Sequence, residues 1–99
     1  SWAYKTNLDT QENRDIYWHQ HIRENNLVLS GVYYLQMPEG TDLSISGTEF
    51  APNGVEAGNY IQESAKVGEW IIFPGKTWHR PGVLESNEWR YIVAADMEI

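Results

Sequence analysis

The sequence predicts an all-β fold, a jelly roll of about eight antiparallel strands. Clusters of Gly, Pro, Asn and Asp divide the 99 residues into short segments that are rich in aromatic and β-branched side chains. Helical patterns that could connect parallel strands are nearly absent between these segments. Eight strands without crossover helices favour a jelly roll. A chain of this length forms one domain, 1–99, with a single hydrophobic core.

Each predicted strand is bounded by residues with turn-forming chemistry. The breaks fall at residues 38–40, 51–54, 66–68, 74–75 and 85–87, where Gly, Pro, Asn and Ser cluster. The stretch 7–15 lacks an apolar stripe, so we predict a polar loop there. The predicted strands are 2–6, 16–22, 28–37, 43–50, 59–64, 69–74, 77–84 and 89–99.

Composition and charge argue against several classes of partner. The formal net charge is −7 with seven scattered basic residues, which disfavours binding to nucleic acid. The chain has no cysteine, so a metal must be held by imidazole and carboxylate groups. No apolar run approaches the roughly 18 residues of a membrane span, and no signal peptide opens the chain. We therefore expect a soluble, cytoplasmic protein, and its start at Ser1 suits a trimmed piece of a longer chain.

Two of the three histidines, His19 and His21, are separated by one residue. On a strand the side-chain period is two, so both point from the same face with Cα atoms roughly 6 to 7 Å apart. This spacing lets two imidazoles converge on one ion. The alternative is a pair of unrelated histidines on a half-exposed face.

The third histidine, His79, follows an apolar strand and a sharp turn at Pro74-Gly75. Taken alone, it is typical of a core histidine with a hydrogen-bond partner on each nitrogen. Taken with His19 and His21, it predicts a metal site of three imidazoles inside a barrel. Imidazole suits iron, zinc, copper, nickel or manganese, so these ligands do not choose the metal.

Arg90 lies eleven residues after His79, beyond the predicted turn at 85–87. A hairpin at this turn would place Arg90 beside the strand of His79, with its guanidinium near the metal. A guanidinium in such a place suits bidentate binding of a carboxylate. The alternative is a surface arginine paired with Glu85 or Glu88.

The order of these motifs resembles a known family. The run 29–35 (Leu-Ser-Gly-Val-Tyr-Tyr-Leu), preceded by His19-x-His21 and followed by Phe73-Pro74, His79 and Arg90, is similar to iron(II)- and 2-oxoglutarate-dependent oxygenases. More narrowly, it resembles the oxygenases of this type that are common in marine bacteria and their phages, over the whole chain. The resemblance implies a double-stranded β-helix, Fe(II), and hydroxylation of a small-molecule or peptide substrate with decarboxylation of 2-oxoglutarate to succinate.

The resemblance also implies roles for individual residues. His19 is expected to be the first iron ligand, His79 the distal ligand, and Arg90 the anchor for the far carboxylate of 2-oxoglutarate. A tyrosine in the strand after the first motif contacts the same carboxylate in such enzymes. Strand parity allows only one of Tyr33 and Tyr34 to point inward, and we choose Tyr34.

The sequence departs from that family at position 21, where His21 replaces the usual carboxylate. Three neutral imidazoles give an iron(II) site a net charge of about +2 instead of +1, which changes its redox potential and its preference for an anionic co-substrate. Three arrangements are open: His21 is a ligand, Glu24 supplies the carboxylate, or no carboxylate is used.

Cupins are a second resemblance. His19-x-His21 with Glu24 and Gly31 is one residue short of their first motif, and Gly68-x5-Pro74 before His79 nearly matches their second. This resemblance implies a metal-dependent dioxygenase or isomerase that does not use 2-oxoglutarate. A non-catalytic binding barrel is the third possibility. Arg90 and the run 29–35 favour the oxygenase.

Three tryptophans flank the predicted site residues. Strand alternation places Trp18, Trp78 and Trp89 on the side opposite the ligands, so we expect them in outer packing or in a homodimer interface. Glu49 and the other acidic residues of loops and strand ends are expected to be solvated.

Overall fold

The computed structural model describes residues 2–7, 18–22 and 27–98. This part of the chain has no helix of the length and apolarity that a membrane span needs. It contains a 3-10 turn, Val55–Ala57, and seven strands. The strands are β1 (Trp2–Thr6), β2 (Val28–Gln36), β3 (Thr48–Ala51), β4 (Ile61–Glu63), β5 (Trp70–Pro74), β6 (Trp78–Pro81) and β7 (Arg90–Glu98).

The strands form two sheets. The larger has the order β1-β7-β2-β5 and the smaller the order β4-β3-β6. Each named strand is antiparallel to its neighbours. The predicted all-β class is therefore confirmed.

One predicted strand, 43–50, is wrong in its first half. The Asp42 carboxylate accepts hydrogen bonds from the backbone N–H of Ser44 at 3.0 Å and from its hydroxyl at 2.6 Å. The Asp42 carbonyl accepts the N–H groups of Ile45 and Ser46. Aspartate favours such local turns because its side chain competes with strand pairing for backbone donors. As a result, β3 begins only at Thr48.

The predicted strand 16–22 is described only from residue 18 onward. Here residues 18–22, which we call the ligand segment, run along the outer edge of β6. His19 and His79 exchange two backbone hydrogen bonds of 3.0 and 2.9 Å, and the N–H of His21 donates to the carbonyl of Gly75 at 2.6 Å. The ligand segment therefore extends the small sheet beyond β6. Of the predicted loop 7–15, only Asn7 lies within the described residues.

The predicted hairpin between the strands of His79 and Arg90 is wrong. β6 pairs with β3 in the small sheet, whereas β7 lies between β1 and β2 in the large one. The chain between them crosses from one sheet to the other, and β7 pairs with β2 over most of its length. Arg90 therefore approaches the interior from the sheet that faces His79.

The interior between the sheets combines apolar and polar side chains. Phe50 of the small sheet packs on Phe73 of the large one with ring centroids 4.8 Å apart. Tyr34, His79 and Arg90 are 1%, 4% and 2% exposed. Buried polar groups are costly unless they are paired. These three residues are therefore candidates for a functional site between the two sheets.

Candidate metal centre

The ligand segment is tied to the turn between β5 and β6. In addition to the backbone bonds at His19 and His21, the side chain of Gln20 donates to the carbonyl of Lys76 at 2.8 Å. On a strand, side chains two residues apart share a face, so His19 and His21 point the same way while Gln20 points the other. The pairing with β6 brings this face next to His79.

Gly75 permits the close approach of the ligand segment. A Cβ atom added at this position would lie 2.6 Å from the carbonyl oxygen of His21 and 3.0 Å from the Val28 side chain. The first contact is with backbone, which cannot turn aside as a flexible side chain can. Because Gly75 has no side chain, the backbone of His21 can lie in this position.

We expect Gly75→Ala to lower divalent-metal affinity about tenfold, the lower end of the range for changes next to a ligand shell. The added methyl group displaces the backbone of His21 and its imidazole with it. Co(II) titration of the untagged protein measures the effect. Gly31→Ala is the matched control, since its Cβ would meet a Trp70 side chain at 3.0 Å on the outer face. Equal affinity in the two variants would contradict this role of Gly75.

The three histidines converge on one place. The ring centroids of His19 and His79 are 4.2 Å apart, those of His21 and His79 5.1 Å, and those of His19 and His21 5.5 Å. One ligand nitrogen from each lies within 4.8 Å of the other two. His79 is buried, His21 half-buried and His19 exposed, so the cluster opens to solvent on the side of the ligand segment.

The second ring nitrogens of two histidines have oxygen neighbours. Nδ1 of His79 lies 2.8 Å from the carbonyl oxygen of Thr77, so a proton on Nδ1 donates to that carbonyl. Nδ1 of His21 lies 2.9 Å from Oδ2 of Asp96. Such partners fix the tautomer of a histidine and leave Nε2 as the metal ligand. The site thus has the oriented imidazoles that a metal ion requires.

Burial lowers the pKa of His79 to about 4. The two neighbouring imidazoles lower it further, while the Thr77 carbonyl and Asp96 act in the opposite direction. His79 is therefore neutral at pH 7 and presents a lone pair to a metal. The His79 ring packs on the Phe73 ring at an angle of 60°, with centroids 4.5 Å apart. Phe73 thus covers one side of the imidazole.

The lowered pKa of His79 predicts that the metal-free protein loses stability as the pH falls. The folded-state pKa of about 4 lies below the unfolded value of 6.5, so only the unfolded chain binds this proton between these values. The stabilisation is complete above pH 6.5 and is lost as the pH decreases toward 4. From pH 7 to 5 we expect the free energy of unfolding to fall by about 2 kcal/mol more in the chelator-treated wild type than in His79→Gln. Parallel pH profiles from urea denaturation would contradict this.

The donor set fits a divalent ion of intermediate softness. Nitrogens bound to one ion at about 2.1 Å lie about 3 to 3.4 Å apart, for octahedral and tetrahedral angles respectively, so binding requires ring movements that shorten the longest separation in the cluster. His19 is exposed and His21 half-buried, so small adjustments on the open side of the cluster are expected on metal binding. Three imidazoles without a thiolate suit iron, zinc, cobalt, nickel or copper. Glu24, the other carboxylate considered for this site, lies outside the described residues.

The structure places Arg90 deep in the interior and not on the surface. Its side chain is 2% exposed, and its Nη1 donates to the carbonyl oxygens of Ser46 at 2.9 Å and Gly82 at 2.8 Å. The alternative of a surface arginine paired with Glu85 or Glu88 is therefore wrong. Gly82 is three residues beyond His79, which corresponds to about 10 Å along an extended chain.

Tyr34 points inward, as strand parity predicts, and Tyr33 points outward. The Tyr34 hydroxyl hydrogen-bonds to the Thr48 hydroxyl between the two sheets. Burial raises the pKa of Tyr34, although Thr48 and Arg90 act against this shift, so the phenol is protonated at neutral pH. Tyr33 packs on Trp70 with ring centroids 5.3 Å apart. Thr48, the partner of Tyr34, pairs with Pro81 of β6. Along the chain, Pro81 lies between His79 and Gly82, whose carbonyl binds Arg90.

Glu49 is 3% exposed on the outer side of the small sheet. The prediction that it is solvated is therefore wrong. Its carboxylate accepts hydrogen bonds from Arg80 at 2.7 Å and from Gln62 at 3.1 Å. The Arg80 guanidinium in turn lies over the Trp18 ring, 4.2 Å from its centroid. This stack covers Glu49 and holds the ligand segment against β6. Trp18 thus packs on the side opposite the ligands, as predicted.

A surface pocket of about 380 Å³ lies elsewhere, between loop residues 39–45 and 83–86. Its lining includes Asp42, Ile45 and Val83 and none of the predicted site residues. It adjoins the chain segments whose carbonyls bind Arg90, and not the histidines.

Sequence reasoning missed Asp96 and the Thr77 carbonyl as partners of the histidines. Asp96 has the same parity as Arg90 on the strand predicted at 89–99, so both face the interior. That parity was a usable signal. The partner of Asp96 on β2, Ser30, could not be inferred without the register of the sheet.

The structure thus brings together three histidines that could hold one metal ion in a small all-β domain. Comparisons of the chain with protein-family models, with curated proteins and with solved structures give no match.

Proposed function

We propose that the domain is a jelly roll of eight strands in which the ligand segment is the second strand. Counted in this way, the large sheet has the order 1-8-3-6 and the small sheet the order 2-7-4-5. Successive strands then alternate between the sheets except for the hairpin of strands four and five. This alternation is the arrangement that closes two sheets over one interior.

We propose that the protein is an iron(II)-dependent dioxygenase that uses 2-oxoglutarate as co-substrate. The observation that carries this proposal is the convergence of His19, His21 and His79 within 4.8 Å, at one end of an interior that also buries Arg90. A metal site and a buried cation within the same interior suit an anionic ligand that spans the two. The prime substrate would be a small molecule or a peptide that enters from the exposed side of His19.

The histidines would hold the metal, which would supply oxygen activation coupled to the oxidative decarboxylation of 2-oxoglutarate to succinate. The protein residues position the co-substrate. Tyr34 presents a protonated hydroxyl and Arg90 a permanent positive charge. Along the chain beyond His79, the residue that pairs with the partner of Tyr34 comes first, and the carbonyl that binds Arg90 comes next. A short dicarboxylate bound to the metal at one end would direct its other end toward Arg90.

The burial of Arg90 supports an anionic co-substrate. The carbonyls of Ser46 and Gly82 accept hydrogen bonds from Nη1 and hold the guanidinium inside the interior. A carboxylate bound to this guanidinium would gain charge-assisted hydrogen bonds, which contribute roughly 1.5 to 3 kcal/mol.

A cupin-type metalloenzyme that does not use 2-oxoglutarate is the second candidate. Two observations favour it. All three clustered ligands are imidazoles, and Nη1 of Arg90 is already bonded to two carbonyl oxygens. In this case Arg90 has a structural role, and a neutral or singly charged substrate binds the metal.

Anaerobic reconstitution of the untagged protein with Fe(II) tests the proposal. We expect 2-oxoglutarate to produce the visible absorption band of an Fe(II)-bound 2-oxo acid, and exposure to air to produce succinate. His79→Gln is the matched control and should give neither. A protein that binds Fe(II) but gives neither signal would contradict the use of 2-oxoglutarate and favour the cupin-type enzyme. A folded protein that binds no metal would favour a non-catalytic barrel.

A further inference from the structure

Asp96 is a carboxylate beside the histidine cluster to which the proposed dioxygenase assigns no role. It lies on β7 directly opposite Ser30 of β2, and its side chain is 10% exposed. Oδ1 accepts a hydrogen bond of 2.7 Å from the Ser30 hydroxyl. This bond and the pairing of the two strands hold the carboxylate in one orientation.

The other oxygen, Oδ2, is directed at the histidine cluster. It is buried, lies 2.9 Å from Nδ1 of His21, and has no aligned hydrogen-bond donor among the residues that the structure describes. A buried carboxylate oxygen without such a donor is costly and indicates a missing interaction. An imidazole whose Nε2 binds a metal carries its proton on Nδ1, where it faces Oδ2.

We infer that Asp96 is the acidic positioning residue of the metal centre, acting through His21. When His21 binds a metal by Nε2, its Nδ1–H donates to Oδ2 of Asp96, which orients the ring and increases its basicity. The inference rests on the proposed metal site but not on 2-oxoglutarate or on catalysis.

This assignment accounts for the absence of a carboxylate at position 21. Three neutral imidazoles leave a divalent ion with a charge of about +2. One carboxylate at the second ring nitrogen of His21 brings the local charge back to about +1 without occupying a position on the metal. Asp96 therefore replaces, from another strand, the charge that a His-x-Asp or His-x-Glu pair carries within the ligand segment.

Substitution of Asp96 tests the inference by metal affinity. Asp96→Asn preserves shape and a hydrogen-bond acceptor but removes the charge, so we expect Co(II) to bind 10 to 100 times more weakly, the range for partners of metal ligands. Ser30→Ala keeps the carboxylate and removes its support, and should weaken binding by a smaller factor. Glu56→Gln, on the exposed 3-10 turn, is the control for the loss of one negative charge. Circular dichroism shows whether each variant is folded.

Proton NMR of the Co(II) protein gives a readout that a general loss of stability would not change. Metal-bound histidines show strongly shifted signals from their exchangeable ring N–H protons, which persist when an acceptor protects them from water. We expect protected signals for His21 and His79 in the wild type. In Asp96→Asn the His21 signal should shift or broaden by exchange, whereas the His79 signal, protected by Thr77, should persist.

The outcomes separate this inference from the proposed function. Wild-type affinity and an unchanged His21 signal in Asp96→Asn would overturn the inference alone. A changed Co(II) coordination number in that variant would make Asp96 a direct ligand and would also overturn it. Failure of the wild type to bind Co(II) would overturn both proposals. Weaker binding in Asp96→Asn would support the inference even if the protein makes no succinate.

Discussion

Replacing His79 by glutamine is expected to lower divalent-metal affinity by more than about 100-fold, beyond the 10- to 100-fold range for partners of ligands. His79 is the central residue of the site, since its ring is within about a van der Waals contact of both other imidazoles and is itself buried. Its burial and the Thr77 carbonyl orient it before metal binding. The side chains of His19 and His21 cannot form a three-coordinate site without it.

Competition titration with a coloured chelator measures this loss. Glutamine keeps a polar side chain of similar reach, so the variant should fold, as circular dichroism would show. Gln20→Ala is the matched control, because it alters the ligand segment and its bond to Lys76 without removing a ligand. Affinity in His79→Gln within a few-fold of wild type would show that the three histidines do not act together.

Arg90→Met is expected to lower the free energy of unfolding by about 2 to 4 kcal/mol, because the carbonyls of Ser46 and Gly82 lose their donor between the two sheets. Methionine fills most of the volume, so the loss reflects the missing hydrogen bonds of the guanidinium and not a cavity. In a domain of this size, each kcal/mol lowers Tm by roughly 4 to 8 °C. Lys66→Met, an exposed change of the same charge, is the control. A Tm equal to that of this control would contradict the buried role of Arg90.

The same variant separates the two candidate enzymes. If Arg90 binds the co-substrate, the folded Fe(II) protein carrying Arg90→Met should lose the 2-oxoglutarate absorption band while keeping its metal. If Arg90 is structural, the variant should bind small ligands at the metal as the wild type does. The measurement is made well below the lowered Tm, so that unfolding does not mimic a loss of binding.

The inferences from sequence that were correct are those that used the alternation of side chains along a strand. A side-chain period of two placed His19 and His21 on one face and allowed only one of Tyr33 and Tyr34 to point inward. The structure shows both features. These inferences needed only local backbone geometry, which the spacing of residues determines.

Inferences that depended on strand partners were less successful. Arg90 was predicted inside the barrel for a wrong reason, a hairpin with the strand of His79, although the two strands belong to different sheets. Asp96 is 66 residues from Ser30 in sequence, and only their pairing brings the carboxylate to His21. Sheet order is set by burial of whole faces and not by neighbouring residues, so it could not be derived from spacing.

Two local errors have a different origin. The strand at 43–50 was assigned from its composition, while Asp42 uses its side chain to form a turn instead. Glu49 was expected in solvent because charged residues are mostly exposed. Its burial depends on Arg80 and the ring of Trp18, which come from two other parts of the chain.

The central claim is that one metal ion binds between His19, His21 and His79. Anomalous scattering from a crystal of the untagged protein soaked with Co(II) tests it most directly. We expect one strong peak per chain, about 2.1 Å from a nitrogen of each histidine, with Nδ1 of His21 facing Asp96. An ordered chain with no peak at these three residues, or with its peak at another set of ligands, would contradict a three-histidine metal site.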